Sequence, residues 1–161
     1  MNPQLPSIEP VTGLPVINDP SLQTAGRFNT PTIMDKILSF LPLLKHSAEG
    51  SISINPKNSN DPALAIKHEA LHSVLNILNK NGQLDKMNAE NPAFQQIMKN
   101  WPSWAGEPNQ EIPVYAATGE LQKLNIPGMT PELQKAGVGT LVQQLMKLDP
   151  KTLEKYQRLS Q

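Results

Sequence analysis

His68, Glu69 and His72 stand in the run Lys67-His68-Glu69-Ala70-Leu71-His72, and these residue types at this spacing can do chemistry. Residues four apart on an α-helix lie one turn apart on the same face. A helix here would therefore aim two imidazoles at a single metal ion. Glu69 follows the first histidine directly and projects beside the pair, within reach of a water on that ion. Zinc held by neutral nitrogen ligands, with one position open, lowers the pKa of its water towards ~7. A neighbouring carboxylate can then take the proton as the water attacks a carbonyl. The pattern points to peptide hydrolysis, with one Zn2+ per chain and a peptide or protein as substrate. Two of the chain's three histidines fall in the motif; the bland alternative is a helix that carries two surface histidines.

Composition narrows the alternatives. The 161 residues suffice for a domain with a real core, and the formal net charge is zero. With a pI of about 6.8 there is no basic field for nucleic acid, and no stripe of Lys and Arg interleaved with aromatics. Cysteine is absent, which removes disulfides, thiolate zinc sites and a cysteine nucleophile. Met1-Asn2-Pro3-Gln4-Leu5-Pro6 has neither the charge nor the apolar run of a secretory signal. The longest apolar stretch, near Ile37 to Leu44, is too short and interrupted to span a bilayer. The expectation is a soluble, cytoplasmic protein with no membrane partner, unless another route exports it. Its oligomeric state is not readable.

The motif needs elements to position it. Residues 1–30 carry Pro3, Pro6, Pro10, Pro15 and Pro20 and read as an extended or disordered arm, with a weak strand signal at Val16-Ile17. Thr30-Pro31 opens a helix by capping logic, with Ile33, Ile37, Phe40 and Leu44 on one face and His46 just beyond. Gly50 to Asn55 alternates small polar and β-branched residues and reads as a short strand stopped by Pro56. Asp61-Pro62 then starts the helix that bears the motif, and Gly82 fits its left-handed cap. Leu64, Leu71, Val74, Leu75 and Leu78 give that helix an apolar stripe, beside which Ala65, His68 and His72 form a neighbouring strip.

Further helices are expected from Asn91-Pro92, carrying Phe94, Ile97, Met98 and Trp101, and from about Asn109 to Leu124, with Pro113 near its first turn. Two more start at Thr130-Pro131-Glu132, with Leu133, Val138, Leu141, Leu145 and Leu148 as core face, and at Asp149-Pro150. Together these describe an α+β, mainly helical fold: an active-site helix, a short edge strand or small sheet, and a C-terminal helical part.

Two histidines leave a catalytic zinc short of one protein ligand. No histidine lies downstream and His46 is poorly placed, so the third ligand must be a carboxylate from among Asp85, Glu90, Glu107, Glu111, Glu120 and Glu132. Glu111 stands out, because it opens the apolar helical run Ile112-Pro113-Val114-Tyr115-Ala116-Ala117, and a carboxylate among apolar residues needs a compensating charge. The competing role is neutralisation of a helix N-terminus, and Glu107 remains an alternative ligand. Tyr115, one turn after Glu111, could donate to the oxyanion of an attacked carbonyl; otherwise it is an interfacial tyrosine. Glu120 faces solvent or takes an outer imidazole N–H.

In these residues the chain resembles small zinc metallopeptidases of the zincin type, specifically gluzincins. The resemblance implies that His68 and His72 bind zinc, Glu69 is the general base and Glu111 on a later helix is the third ligand. It implies a zincin-like endopeptidase domain over residues 31–161. It also implies that the strand around Ile52 and Ile54 forms the cleft rim and pairs with extended substrate. The run Glu111 to Gly119 is similar to the second-motif helix of minimal metallopeptidase-like proteins of bacteria and phages. The likeness spans about Gly50 to Leu124. Departures are Ala70-Leu71, where several zincins have glycine before the second histidine, and Asn76, which excludes the longer three-histidine motif of metzincins. Two rivals stand beside this reading. One is a catalytically inert zinc-binding relative, against which the intact Glu69 argues. The other is a helical interaction module with Trp101, Trp104 and the terminal helix as contact surfaces.

Overall fold

The computed structural model describes residues 5–31, 50–80, 82–148 and 150–161; the side chains of residues 77, 87, 137, 138, 140–142, 144–146 and 148 are outside this description. The helix expected after Thr30-Pro31, with Phe40 and His46, falls outside it, as do Val138, Leu141, Leu145 and Leu148 as core positions. The fold is α+β. The chain divides into two compact units, 1–73 and 74–161, and the division falls within helix α1 (Pro62–Lys80). Composition had suggested an arm followed by one domain.

The first unit is built on strands β1 (Val16–Asn18), β2 (Gly26–Asn29) and β3 (Ser51–Ile54), in the order β1-β3-β2. β1 runs parallel to β3 with Val16 opposite Ile52, and β2 antiparallel with Phe28 opposite Ile52. The expected strand is there, with Ile52 and Ile54 fully buried. Its role is corrected. β3 is central and paired on both sides, so its main-chain groups are spent within the sheet and it cannot be the rim that pairs with substrate. The alternation in its sequence signals a strand but does not say what flanks it. Ser53 is buried too, and its hydroxyl accepts from Asn29 Nδ2 at 2.8 Å.

The flanking strands come from the proline-rich segment. Neither strand contains a proline: Pro15 precedes β1 and Pro20 lies between β1 and β2, and polar side chains shape the turns between them. The buried Glu9 carboxylate accepts the N–H groups of Val11 and Thr12 and the Thr12 hydroxyl. Asn55 Nδ2 donates to the carbonyls of Pro20 and Leu22, and Asn58 Nδ2 joins at Leu22. α1 begins as its sequence indicates: Asp61 Oδ1 accepts the Leu64 N–H at 3.0 Å, with Pro62 in the first helical position. Ile66, Ala70 and Leu71 form its buried stripe in this unit. Burial of one such large aliphatic side chain contributes about 1.5–3 kcal/mol.

The second unit is helical: the end of α1, then α2 (Gln83–Ala89), α3 (Pro92–Met98), α4 (Pro108–Ala117), a 3₁₀ turn (Leu121–Leu124), α5 (Pro131–Leu148) and α6 (Pro150–Leu159). Gly82 follows α1 in the left-handed conformation. Asn91 caps α3 by accepting from the Ala93 and Phe94 N–H groups. α3 stops at Met98, which leaves Trp101 beyond it rather than on it. Thr130 Oγ1 caps α5 through the Leu133 N–H. The Glu132 carboxyl is held below its usual range by hydrogen bonds from its own backbone N–H and from the Thr130 hydroxyl. The core gathers Phe94, Ile97, Ile112, Leu121 and Ile126, with Trp101, Tyr115 and Leu133 packed against them. α4 ends at Ala117, well before the expected Leu124, because Gly119 turns the chain at φ 71°. No helix among the described residues is long and apolar enough to cross a membrane.

Candidate metal centre

α1 carries His68, Glu69 and His72, all half-buried at the border of its buried stripe. The two imidazoles stand one turn apart, ring centroids 5.0 Å from each other and planes inclined at 63°. Glu69 is held by β2. Its Oε2 accepts the Phe28 N–H at 2.6 Å. That N–H is available because the antiparallel ladder uses alternate residues. The Asn55 N–H donates to Ala25 C=O, so the groups of Gly26 and Phe28 face away from β3. Gly26 makes room for the side chain: a Cβ there would lie 2.9 Å from Glu69 Cγ and 3.0 Å from Oε1.

Glu111 is set by α4. Glu107 occupies the N-cap with extended backbone, and its carbonyl accepts the N–H groups of Gln110 and Glu111. Pro108 takes the first helical position, and Ile112 and Val114 are buried. Pro113 lies in the second turn, deeper than its sequence position suggested. A proline there removes the donor that would meet the Asn109 carbonyl. The buried Asn88 of α2 supplies a replacement, donating from Nδ2 to Asn109 O at 2.9 Å. Gly106, at φ 86°, lies directly against Glu111: a Cβ on it would come within 2.8 Å of Glu111 Cγ and 2.9 Å of Oε1.

One ligand atom from each of His68, His72 and Glu111 lies within 4.8 Å of the others, and all three residues are half-buried. Tetrahedral zinc with bonds of about 2.0–2.1 Å keeps its ligand atoms roughly 3.4 Å apart. Modest side-chain adjustment would close the group on one ion. Two imidazoles and a carboxylate are a donor set that suits a divalent transition metal. Of the six candidate carboxylates, only Glu111 joins the histidines in this group. Asp85, Glu90, Glu107 and Glu132 are exposed, and Glu120 Oε2 accepts the Thr118 hydroxyl at 3.0 Å. The Tyr115 ring packs edge-on against Trp101, centroids 5.8 Å apart.

Sequence reasoning missed Gly26, Phe28, Asn88, Trp101 and Gly106 as supports of these residues. An isolated glycine in a loop hints at close approach but does not name what approaches. The partners here are up to 41 positions away along the chain.

Compared with known proteins, the chain matches no family model, no curated protein and no solved structure.

Proposed function

We propose that the chain is a zinc-dependent peptidase. The observation that carries this reading is the convergence of His68, His72 and Glu111 within 4.8 Å, with the carboxylate of Glu69 on the same helix. His68, His72 and Glu111 would hold the ion. A bound zinc supplies a Lewis acid that acidifies water and polarises a peptide carbonyl. Glu69 takes a proton from the attacking water and passes it to the leaving amine. The Phe28 N–H fixes one Glu69 oxygen, which orients the carboxylate before the proton moves. Tyr115 is the candidate donor to the oxyanion.

The test is metal content of protein purified without a polyhistidine tag, beside His72→Ala, followed by cleavage of an unfolded protein substrate. The expected result is one zinc per chain, lost in His72→Ala, with cleavage that a chelator stops. Absence of zinc after incubation with the metal would sink the reading. Zinc without cleavage would leave a binding module.

A further inference from the structure

We infer that Gly106 and Trp101 form a bracket that positions Glu111 for metal binding, an inference that rests on the metal-site reading above. Three contacts within the second unit build it. The Trp101 ring packs edge-on against Tyr115 of α4, centroids 5.8 Å apart. Its indole Nε1–H donates to the Gly106 carbonyl at 3.0 Å. Gly106 then presents its bare α-carbon to Glu111, close enough that a methyl group would lie 2.8 Å from Cγ, 2.9 Å from Oε1 and 3.1 Å from Cδ. All three near atoms belong to one side chain, so the Glu111 side chain is what a Cβ at this position would displace. The turn is itself pinned: Gly106 adopts φ 86°, a conformation that L side chains rarely take, and the adjacent Ala105 is buried.

A long carboxylate has several rotamers, and each must be frozen before it can serve as a ligand. The bracket limits them by shape on one side, while α4 fixes the Cα on the other. Outer groups of this kind set ligand orientation at metal sites, and their loss typically weakens binding about 10–100-fold. Trp101 and Gly106 are positioning residues here, since neither is a ligand.

The experiment is zinc titration by calorimetry, with the absorption spectrum of the cobalt-loaded protein as a report on ligand geometry. The proteins are the parent chain, Gly106→Ala, Trp101→Phe, Glu111→Ala and Gly119→Ala. Gly119 is the control for backbone strain: its φ is 71°, yet nothing lies within 4 Å of a Cβ built there. Gly106→Ala should weaken zinc about 10–100-fold and change the cobalt spectrum, whereas Gly119→Ala should do neither. Trp101→Phe keeps an aromatic ring and deletes the N–H donor; it should weaken zinc severalfold with the fold retained by circular dichroism. If Gly106→Ala and Trp101→Phe both bind zinc within twofold of the parent while Glu111→Ala does not, the bracket is wrong and the metal site stands. If the parent itself binds no zinc, or Glu111→Ala binds as the parent does, the metal-site reading falls and the bracket falls with it.

Discussion

Glu69 and Glu111 are both half-buried carboxylates pressed against a glycine, yet they are held by different means. Glu69 lies against an edge strand, where a backbone N–H reaches it at 2.6 Å and Gly26 leaves space beside it. Glu111 lies against a loop turn, where Gly106 faces its Cγ, Cδ and Oε1 and a tryptophan N–H holds the turn in place. The difference matches the roles proposed for them. A proton acceptor benefits from one donor that fixes its orientation. A metal ligand benefits from a side chain whose rotamers are restricted before the ion arrives.

The sharpest way to separate the two is to remove each carboxylate. Glu69→Gln should lower kcat/KM for peptide cleavage by about 10²–10⁴-fold and keep zinc. Glu111→Ala should lose zinc affinity by more than the roughly 10–100-fold typical of outer-sphere changes. A Glu69→Gln protein that cleaves at the parent rate would remove Glu69 as base. The next effect is smaller and tests the glycines against each other. Gly26→Ala pushes on Glu69 and on the Ile54 side chain, so cleavage should fall about 10–100-fold, as expected for a group misplaced by about 1 Å, with zinc affinity held within twofold. Parallel losses of zinc in Gly26→Ala and Gly106→Ala would erase the distinction drawn above.

The smallest effect concerns stability, and it contrasts these supported polar groups with one that has no support. Tyr156 of α6 is fully buried, and its hydroxyl has no hydrogen-bond partner among the described residues. Burial pushes the phenol far above its usual range; the nearby Ser160 hydroxyl, which donates to the Tyr156 carbonyl at 2.7 Å, offsets this only in small part. The folded state therefore keeps the phenol neutral where the unfolded chain, with a pKa near ~10, ionises. The stability this represents is fully present below about pH 10 and declines above it. Tyr156→Phe should flatten that alkaline decline and leave neutral-pH stability unchanged or raised by up to about 1 kcal/mol, since an unpaired buried hydroxyl is costly. A loss above roughly 1 kcal/mol in denaturant titration would show that the hydroxyl has a partner.

The local pieces were legible in the chain because their causes are local. Asp61-Pro62, Asn91-Pro92 and Thr130-Pro131 each placed a helix start where a side chain now caps it. The Ser51–Ile54 strand followed from alternation, and the motif on α1 from residue type and spacing. Elimination of other donors left six carboxylates, of which the apolar run after Glu111 favoured that residue with Glu107 still open, and the geometry groups Glu111 with His68 and His72.

What failed involved pairing across the chain. Proline density in the first 30 residues hid β2 and left only a weak signal for β1 at Val16-Ile17, because the prolines lie outside both strands and a high density of breakers masks the short runs between them. β3 consequently looked like a rim and proved to be central. The replacement of Pro113's missing donor by Asn88, and the approach of Gly26 and Gly106 to the two carboxylates, depend on which segments meet. The sequence by itself therefore determined the chemistry available and the helices that carry it, since capping and periodicity act over a few residues. Only the tertiary structure decided which strand lies beside Glu69, and which loop confines Glu111, because those contacts join residues whose separation along the chain no local pattern encodes.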